Sequence, residues 1–405
     1  MFMQKTKIPP EMVWNVAQLQ KDGLYFSYKA IQEFKPNGRV VVKDVGEMIM
    51  LGGYSYLGLK GHPKINEAAK SAIDQFGTGT DGSRLLAGTL SLHEELENAI
   101  ADFKHTEAAI TFSSGYVANV STISSLVKKN DFVISDKMNH ASIIDGCRFS
   151  QAHFIRYPYN QLNHLENVLK QAPLSVRKLI VVDAIFSMEG AICDLPKISE
   201  LCKKYNAYLM VDEAHSVGVL GATGSGIEEF YNLPYNTIDI KMGTLSKTIP
   251  SSGGYVAGTN ELCTYLKHEA RGLIYSGAPS PASVAAAIAS FDILKNEPER
   301  IHDLQVKTRH FRKLLVDAGF EIGHSQTPVV PIIIGETIEA SMVAKYCQEN
   351  GVFIHAILPP VVPPHTARLR ASVMATHTFE DLAYCVKTMK DGMRKLEMES
   401  VMYTT

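Results

Sequence analysis

A lysine set among small hydroxylated residues can present its amine to an aldehyde, and residues 244–247 read Thr244-Leu245-Ser246-Lys247. They follow the apolar stretch Ile238-Asp239-Ile240 and precede Ser251-Ser252-Gly253-Gly254, side chains small enough for backbone to approach a phosphate closely. Upstream, the run Tyr208-Leu209-Met210-Val211 ends in Asp212-Glu213-Ala214-His215. An amine able to form a Schiff base, with a carboxylate able to keep a pyridinium nitrogen protonated, is the layout of a pyridoxal-phosphate site. Asp212 could instead serve only as a helix cap. The acid-Ala-His that follows favours function, because His215 can reach the cofactor's phenolic oxygen while Asp212 faces the ring nitrogen. The chain reads as an enzyme of amino-acid chemistry.

Other segments carry weaker signals. Ser113-Ser114-Gly115-Tyr116 follows an apolar run and opens a helical pattern, so its amides suit a phosphate or simply cap the helix. His140, in Asn139-His140-Ala141-Ser142, is either a satisfied core residue or a ring that stacks on the cofactor. The stretch Gly77-Thr78-Gly79-Thr80-Asp81-Gly82-Ser83-Arg84 lacks the Gly-Lys-Ser/Thr of a P-loop, leaving a substrate-channel lining or a plain loop. Arg368 and Arg370 lie on a strand candidate and are expected to face opposite sides. One would then clamp a carboxylate bidentately, the other pack or meet solvent.

The elements that must position these groups are short apolar runs separated by helical patterns. The runs are Ala108–Phe112, Phe132–Ser135, His153–Tyr157, Leu179–Asp183, Tyr208–Asp212, Ile238–Met242 and Tyr255–Ala257. This predicts an α/β fold with a mostly parallel seven-stranded sheet sandwiched by helices. Ligands of such sheets bind beyond the strands' carboxyl ends, where Ser113–Tyr116, Ser135–His140, Ser187, Asp212–His215 and Thr244–Lys247 all fall. Three regions are expected: an N-terminal segment (1–60), a large cofactor-binding domain (61–290) and a smaller C-terminal α+β domain (291–405). The first holds a helix, a turn at Lys35-Pro36-Asn37-Gly38 and a hairpin-like strand pair. The last holds helices at Glu297–Gly319 and Phe379–Met398 and strands at Val329–Ile334, Val352–His355 and Arg368–Ser372.

Composition excludes several classes. The 405 residues are 45% hydrophobic and 20% charged, with a formal net charge of -2, so nucleic-acid binding has no electrostatic support. The 6 cysteines form no C-x-x-C pair, which argues against a zinc knuckle or redox motif and for reduced, mostly buried thiols. No metal site is indicated. The first ten residues lack the apolar core of a signal peptide, and no uncharged run reaches the roughly 18 residues of a membrane span. The expectation is a cytoplasmic protein without a transmembrane segment, with peripheral membrane association left open.

Together these stretches resemble the α-oxoamine synthase family of fold-type I pyridoxal-phosphate enzymes. The matching segments are Tyr56-Leu57-Gly58-Leu59, Gly82-Ser83-Arg84 with His93, Ser114-Gly115-Tyr116, Asn139-His140-Ala141-Ser142, Phe186-Ser187-Met188-Glu189-Gly190, Asp212-Glu213-Ala214-His215, Thr244-Leu245-Ser246-Lys247 and Arg368-Leu369-Arg370. The resemblance implies decarboxylative condensation of a small amino acid with an acyl thioester, giving an α-aminoketone, CoA and CO2. It implies Lys247 as the Schiff-base lysine and the base at Cα, with Asp212 on the pyridinium nitrogen and His140 stacked on the ring. Ser187 and His215 would contact the phenolic oxygen. Ser114-Gly115-Tyr116, Thr244 and Ser246 would cradle the phosphate, with Ser276 contributed by the partner of a homodimer whose site lies at the subunit interface. Arg370 would receive the amino-acid carboxylate, beside Ser55.

Within the family, members taking carboxylated acyl groups usually place an arginine near the N-terminal segment. Here that segment reads Gly23-Leu24-Tyr25-Phe26-Ser27-Tyr28-Lys29, which fits a long or uncharged acyl chain. It resembles the serine palmitoyltransferase branch, as does Met374-Ala375-Thr376-His377-Thr378; 8-amino-7-oxononanoate and 2-amino-3-ketobutyrate synthesis are the alternatives. Two departures stand out. Ser55 replaces the usual asparagine before Tyr-Leu-Gly-Leu. Leu358 replaces an arginine that some of that branch carry, so delivery by an acyl carrier protein rather than CoA stays open.

Overall fold

Three strands, β1 (Ile31–Lys35), β2 (Arg39–Val42) and β3 (Gly46–Met50), open the fold as an antiparallel meander in the computed structural model, which describes residues 20–21, 28–173 and 175–404. The β1–β2 turn is dictated locally. Asn37 and Gly38 both adopt positive φ (59 and 68), and the Arg39 N–H closes on the Pro36 carbonyl at 3.3 Å. Two central residues with φ > 0 make the type I′ geometry whose twist matches that of a hairpin, and Asn-Gly adopts it at least cost.

The seven apolar runs become seven strands of one sheet. They are β4 (Ala108–Phe112), β5 (Phe132–Asp136), β6 (His153–Tyr157), β7 (Lys178–Asp183), β8 (Tyr208–Asp212), β9 (Ile240–Thr244) and β10 (Gly254–Gly258). The spatial order is β4-β10-β9-β8-β7-β5-β6. Only β10 runs antiparallel to its neighbours, pairing with both β4 and β9. Alternate residues feed opposite cores. Ile134, Ile180, Val182, Leu209 and Val211 belong to one apolar cluster, while Val133, Leu179, Val181 and Met210 belong to the other. Burial on both faces is why these strands read as continuous apolar runs rather than alternating ones.

Toward the C-terminus, β11 (Val329–Gly335) pairs with β14 (Ala367–Ser372), and β14 with β13 (His355–Ile357), all antiparallel. The expected strand Val352–His355 is in fact divided. β12 (Val352–Phe353) adds in parallel to β3, and beyond Ile354 the chain crosses to the other sheet as β13. An apolar run shows that it will be buried, not which of two free strand edges it will pair with. Helices Glu299–Asp317, Thr337–Glu349 and Phe379–Thr404 accompany this sheet; the middle one lay outside the expected elements. All six cysteines are buried and unbridged. Among the described residues, no helix is long and apolar enough to cross a membrane, and no cluster of three or more His, Cys, Asp or Glu side chains could hold a metal.

Candidate active site

The carboxyl ends of five strands converge on one edge of the large sheet. Phe112 of β4 leads to Ser114, Asp136 of β5 to His140, Asp183 of β7 to Ser187, Asp212 of β8 to His215, and Thr244 of β9 to Lys247. Lys247 Nζ lies 2.7 Å from His215 Nε2, and the other imidazole nitrogen lies 2.7 Å from the Tyr56 hydroxyl. Burial, then the positive charges of Lys247 and Arg370, push His215 well below its ordinary pKa, so the ring is neutral and carries one proton. With Lys247 donating to Nε2, that proton sits on Nδ1 and is donated to Tyr56. Burial pushes the Tyr56 phenol up to about 12, which keeps its oxygen a neutral acceptor.

Tyr54 is the platform under this cluster. The Lys247 ammonium lies 5.7 Å from its ring centre and the Arg370 guanidinium 5.0 Å, while the His215 ring meets it edge-on at 5.9 Å. Arg370 is buried; its Nε donates to the Ser187 carbonyl at 2.6 Å and one terminal nitrogen to Ser372 Oγ at 3.1 Å. Its other terminal nitrogen is buried with no partner among the described residues. A guanidinium half satisfied in this way presents a donor to a missing acceptor, the position a substrate carboxylate would take.

Arg368 corrects the expectation of opposite faces. Its Nη1 reaches the Met188 carbonyl at 3.2 Å and Glu189 Oε1 at 3.3 Å, so both arginines point to the same Ser187–Glu189 loop. Side chains two apart on a strand share a face, because the pleat repeats every second residue. Arg368 is consumed by its ion pair and Arg370 is not.

Burial also acts on Lys247, whose amine is lowered to about 8, with Asp212 partly opposing the shift and Arg370 adding to it. The neutral amine is the nucleophile, so a lower pKa makes the reactive form available at lower pH. In the cofactor-free protein, labelling of Lys247 by an amine-specific reagent is therefore expected to rise through a midpoint near pH 8. The ordinary lysine value is 10.5. A labelling midpoint near 10, read by peptide mass spectrometry, would contradict the effect of burial.

Asp212 is buried and fixed from two sides: Asn119 Nδ2 donates to one oxygen at 2.6 Å and the Ala214 amide to the other at 2.9 Å. Asn119 itself is anchored by a bond to Ser142 Oγ at 2.9 Å. His140 caps the helix Ala141–Phe149, its Nδ1 lying 2.7 Å from Ser142 Oγ and its amide donating to Asp183 Oδ2 at 2.9 Å. The residue is exposed rather than a packed core histidine. Asp183 is also buried, and burial next to Asp212 raises its pKa well above the carboxylate norm.

The phosphate-cradle candidates come together at the start of helix Gly115–Leu126. Ser114 caps it, its Oγ accepting from the Val117 amide at 3.1 Å. Thr244 Oγ1 lies 2.9 Å from Ser246 Oγ and donates to the Gly253 carbonyl at 3.1 Å. A Cβ at Gly254 would fall 2.6 Å from the Cα of Gly115, so glycine there is what lets the two backbones meet. Tyr116 is turned outward, its hydroxyl on Asp145 at 2.5 Å. Ser276 borders a cavity that Tyr116 and Val117 also line, next to the exposed Tyr275.

Several members of the cluster have no signature in the sequence. Tyr54, Asn119 and Asp183 carry no motif of their own; an asparagine on the apolar helix after Ser114 was the one available hint. Glu213, inside the acid-Ala-His motif, turns away into a buried ion pair with Lys104 at 2.6 Å, beside a second pair, Lys241–Glu228, at 2.6 Å. Arg84 of the glycine-rich stretch bonds Glu97 at 2.7 Å and Thr111 at 2.9 Å, and His93 joins the Leu90 amide to the Pro279 carbonyl. Both therefore tie loops together. Ser55 Oγ is buried without a partner among the described residues.

An amine, a buried carboxylate and a glycine-floored helix N-terminus at the carboxyl edge of this sheet define a fold-type I pyridoxal-phosphate enzyme. The chain belongs to the aminotransferase class I and II family, whose profile matches residues 46–389. It is 40% identical over 386 residues to a serine palmitoyltransferase of Sphingobacterium spiritivorum, covering 95% of this chain and 96% of that protein. It is 41% identical over 382 residues to an 8-amino-7-oxononanoate synthase of Thermoanaerobacter pseudethanolicus, covering 94% and 96%. Its fold superposes on a serine palmitoyltransferase solved with pyridoxal phosphate at a TM-score of 0.92, with 31% identity, covering 96% of this chain and 100% of that one.

Proposed function

We propose that this protein is an α-oxoamine synthase: it joins the Cα of a small amino acid to the acyl carbon of a thioester, releasing the thiol and CO2. The observation that carries the reading is the unpartnered buried nitrogen of Arg370 beside Lys247, an acceptor-seeking group where an amino-acid carboxylate would complete the site. The residues present fit pyridoxal phosphate, which would lie on Asp212, His140, Ser187 and His215, with its phosphate at Ser114-Gly115-Tyr116, Thr244 and Ser246. When bound, the cofactor supplies an electron sink for the substrate Cα. The chain's own residues do the rest. Asp212, held by Asn119, keeps a ring nitrogen protonated. Lys247 Nζ takes the Cα proton, with neutral His215 as its hydrogen-bond partner. Arg370 orients the carboxylate until it leaves as CO2.

The amino acid is proposed to be serine, alanine or glycine, with serine palmitoyltransferase-like chemistry first. The similar identity to an 8-amino-7-oxononanoate synthase supports the second reading. A homodimer is proposed, with Ser276 reaching the phosphate of the other subunit, and a cytoplasmic location, at most peripheral to a membrane. The donor, CoA- or carrier-bound, is proposed to be an uncharged medium or long acyl chain. That rests on the Tyr25-Phe26-Ser27-Tyr28 stretch, of which Tyr25 to Ser27 lie outside the described residues. Each buried CH2 is worth about 0.8 kcal/mol, so four more methylenes favour a longer chain by up to roughly two hundredfold. An unpaired buried donor carboxylate costs several kcal/mol instead. The test is kcat/KM with acetyl-, succinyl-, pimeloyl-, decanoyl- and palmitoyl-CoA. A maximum at acetyl, succinyl or pimeloyl defeats the donor assignment, pimeloyl in favour of the second reading, and uniformly poor rates point to a carrier-protein thioester. Absence of thioester-dependent CO2 release defeats the synthase reading itself.

A further inference from the structure

The helix Glu299–Asp317 packs its core seam through Ile301, Leu304, Thr308, Phe311 and Leu315. One member of that seam is polar. Thr308 is 4% exposed, and its hydroxyl has no hydrogen-bond partner among the described residues. Gln305, Thr308, Arg309 and Arg312 follow helical spacing and form one polar stripe, since residues three and four apart share a face. All four line a cavity of about 570 Å3. Arg312 Nε is buried without a partner among the described residues, and burial lowers the guanidinium's pKa.

Apolar side chains, Leu220, Phe230 and Pro328 among them, also line the cavity, together with the polar Asn232, Gln326 and Thr327. One carboxylate, Glu229, also borders the space, but its oxygens are occupied by the amides and hydroxyls of Thr223 and Ser225 at 2.9 to 3.1 Å. The cavity contains none of the residues assigned to the cofactor or the amino acid, so what binds there is a separate matter from the reaction at Lys247. Val219 and Leu220 line it, whereas Gly218, next in the chain, leaves no room for a Cβ against Thr248, the neighbour of Lys247.

We propose that this cavity is a binding site for a small organic phosphate. Its anionic head is held by Arg309, Arg312 and the Thr308 hydroxyl, and its apolar body lies against Leu220, Phe230 and Pro328. A tetrahedral dianion accepts more hydrogen bonds than a carboxylate, which suits two guanidinium forks with a hydroxyl between them. The chemistry explains two buried polar atoms that the fold itself leaves unsatisfied.

The test is calorimetric titration of the holoenzyme, in which the cofactor occupies the phosphate cradle at Ser114–Tyr116, with phenyl phosphate, inorganic phosphate and benzoate. Saturable one-to-one binding is expected, strongest for phenyl phosphate. Arg312→Gln should weaken it roughly tenfold or more, the effect of losing a charge-assisted fork. Thr308→Val, close to isosteric, should weaken it several-fold with the unfolding midpoint and turnover preserved. Absence of saturable binding to the wild type overturns the proposal, as does unchanged affinity in both variants. Benzoate binding as tightly as phenyl phosphate would overturn its assignment to phosphate.

Discussion

Lys247→Ala is expected to abolish turnover and to leave no cofactor covalently attached after borohydride reduction. The amine of Lys247 lies 2.7 Å from His215 Nε2 and sits over Tyr54, so it is the amine that the strand-end cluster surrounds. Under the proposed function, truncation would remove both the covalent anchor and the group that moves the Cα proton. The fold should persist, because the side chain's one hydrogen bond is to His215 and the core strands are unaffected. Losing the positive charge also removes a cause of His215's lowered basicity, so that ring should become easier to protonate. Peptide mapping after reduction decides the matter: cofactor trapped on a different lysine would reassign the site.

Asp212→Asn should still bind cofactor but lose most turnover. An amide cannot balance a protonated ring nitrogen, and charge developing in the transition state then goes uncompensated. Losing such a contact commonly costs about 3 kcal/mol or more, roughly a hundredfold or greater in rate. The structure adds a second reason. Asn119 Nδ2 donates to Asp212 Oδ2 at 2.6 Å, and a side-chain amide introduced there with its NH2 toward Asn119 would set donor against donor. Steady-state kcat with the preferred amino acid is the measurement; a variant within a fewfold of wild type would reduce Asp212 to a helix cap.

How far each of these residues could be foreseen depends on the range of the interaction that places it. The seven strands, their mostly parallel arrangement and the edge where Asp212 and Lys247 would meet were legible in the sequence. Runs buried on both faces are apolar throughout, and in such sheets the functional loops gather at the carboxyl ends. The Asn37-Gly38 turn was legible for an equally local reason. Chemistry carried by residue type, the amine of Lys247 and the carboxylate of Asp212, needed no coordinates to be suspected.

What depended on packing between distant segments was decided only by the tertiary structure. It selected Tyr54 as the surface shared by Lys247, His215 and Arg370, and Asn119 as the group that holds Asp212. It turned Glu213 away from the site into a pair with Lys104, although it stands next to Asp212 in the chain. It separated Arg370 from Arg368 not by face but by partner, since Glu189 satisfies one and no described residue satisfies the other's last nitrogen. Local sequence sets which residues will be buried and which strand end they occupy. Which groups then meet, and which are left unpaired, depends on the register in which segments far apart in the chain finally pack.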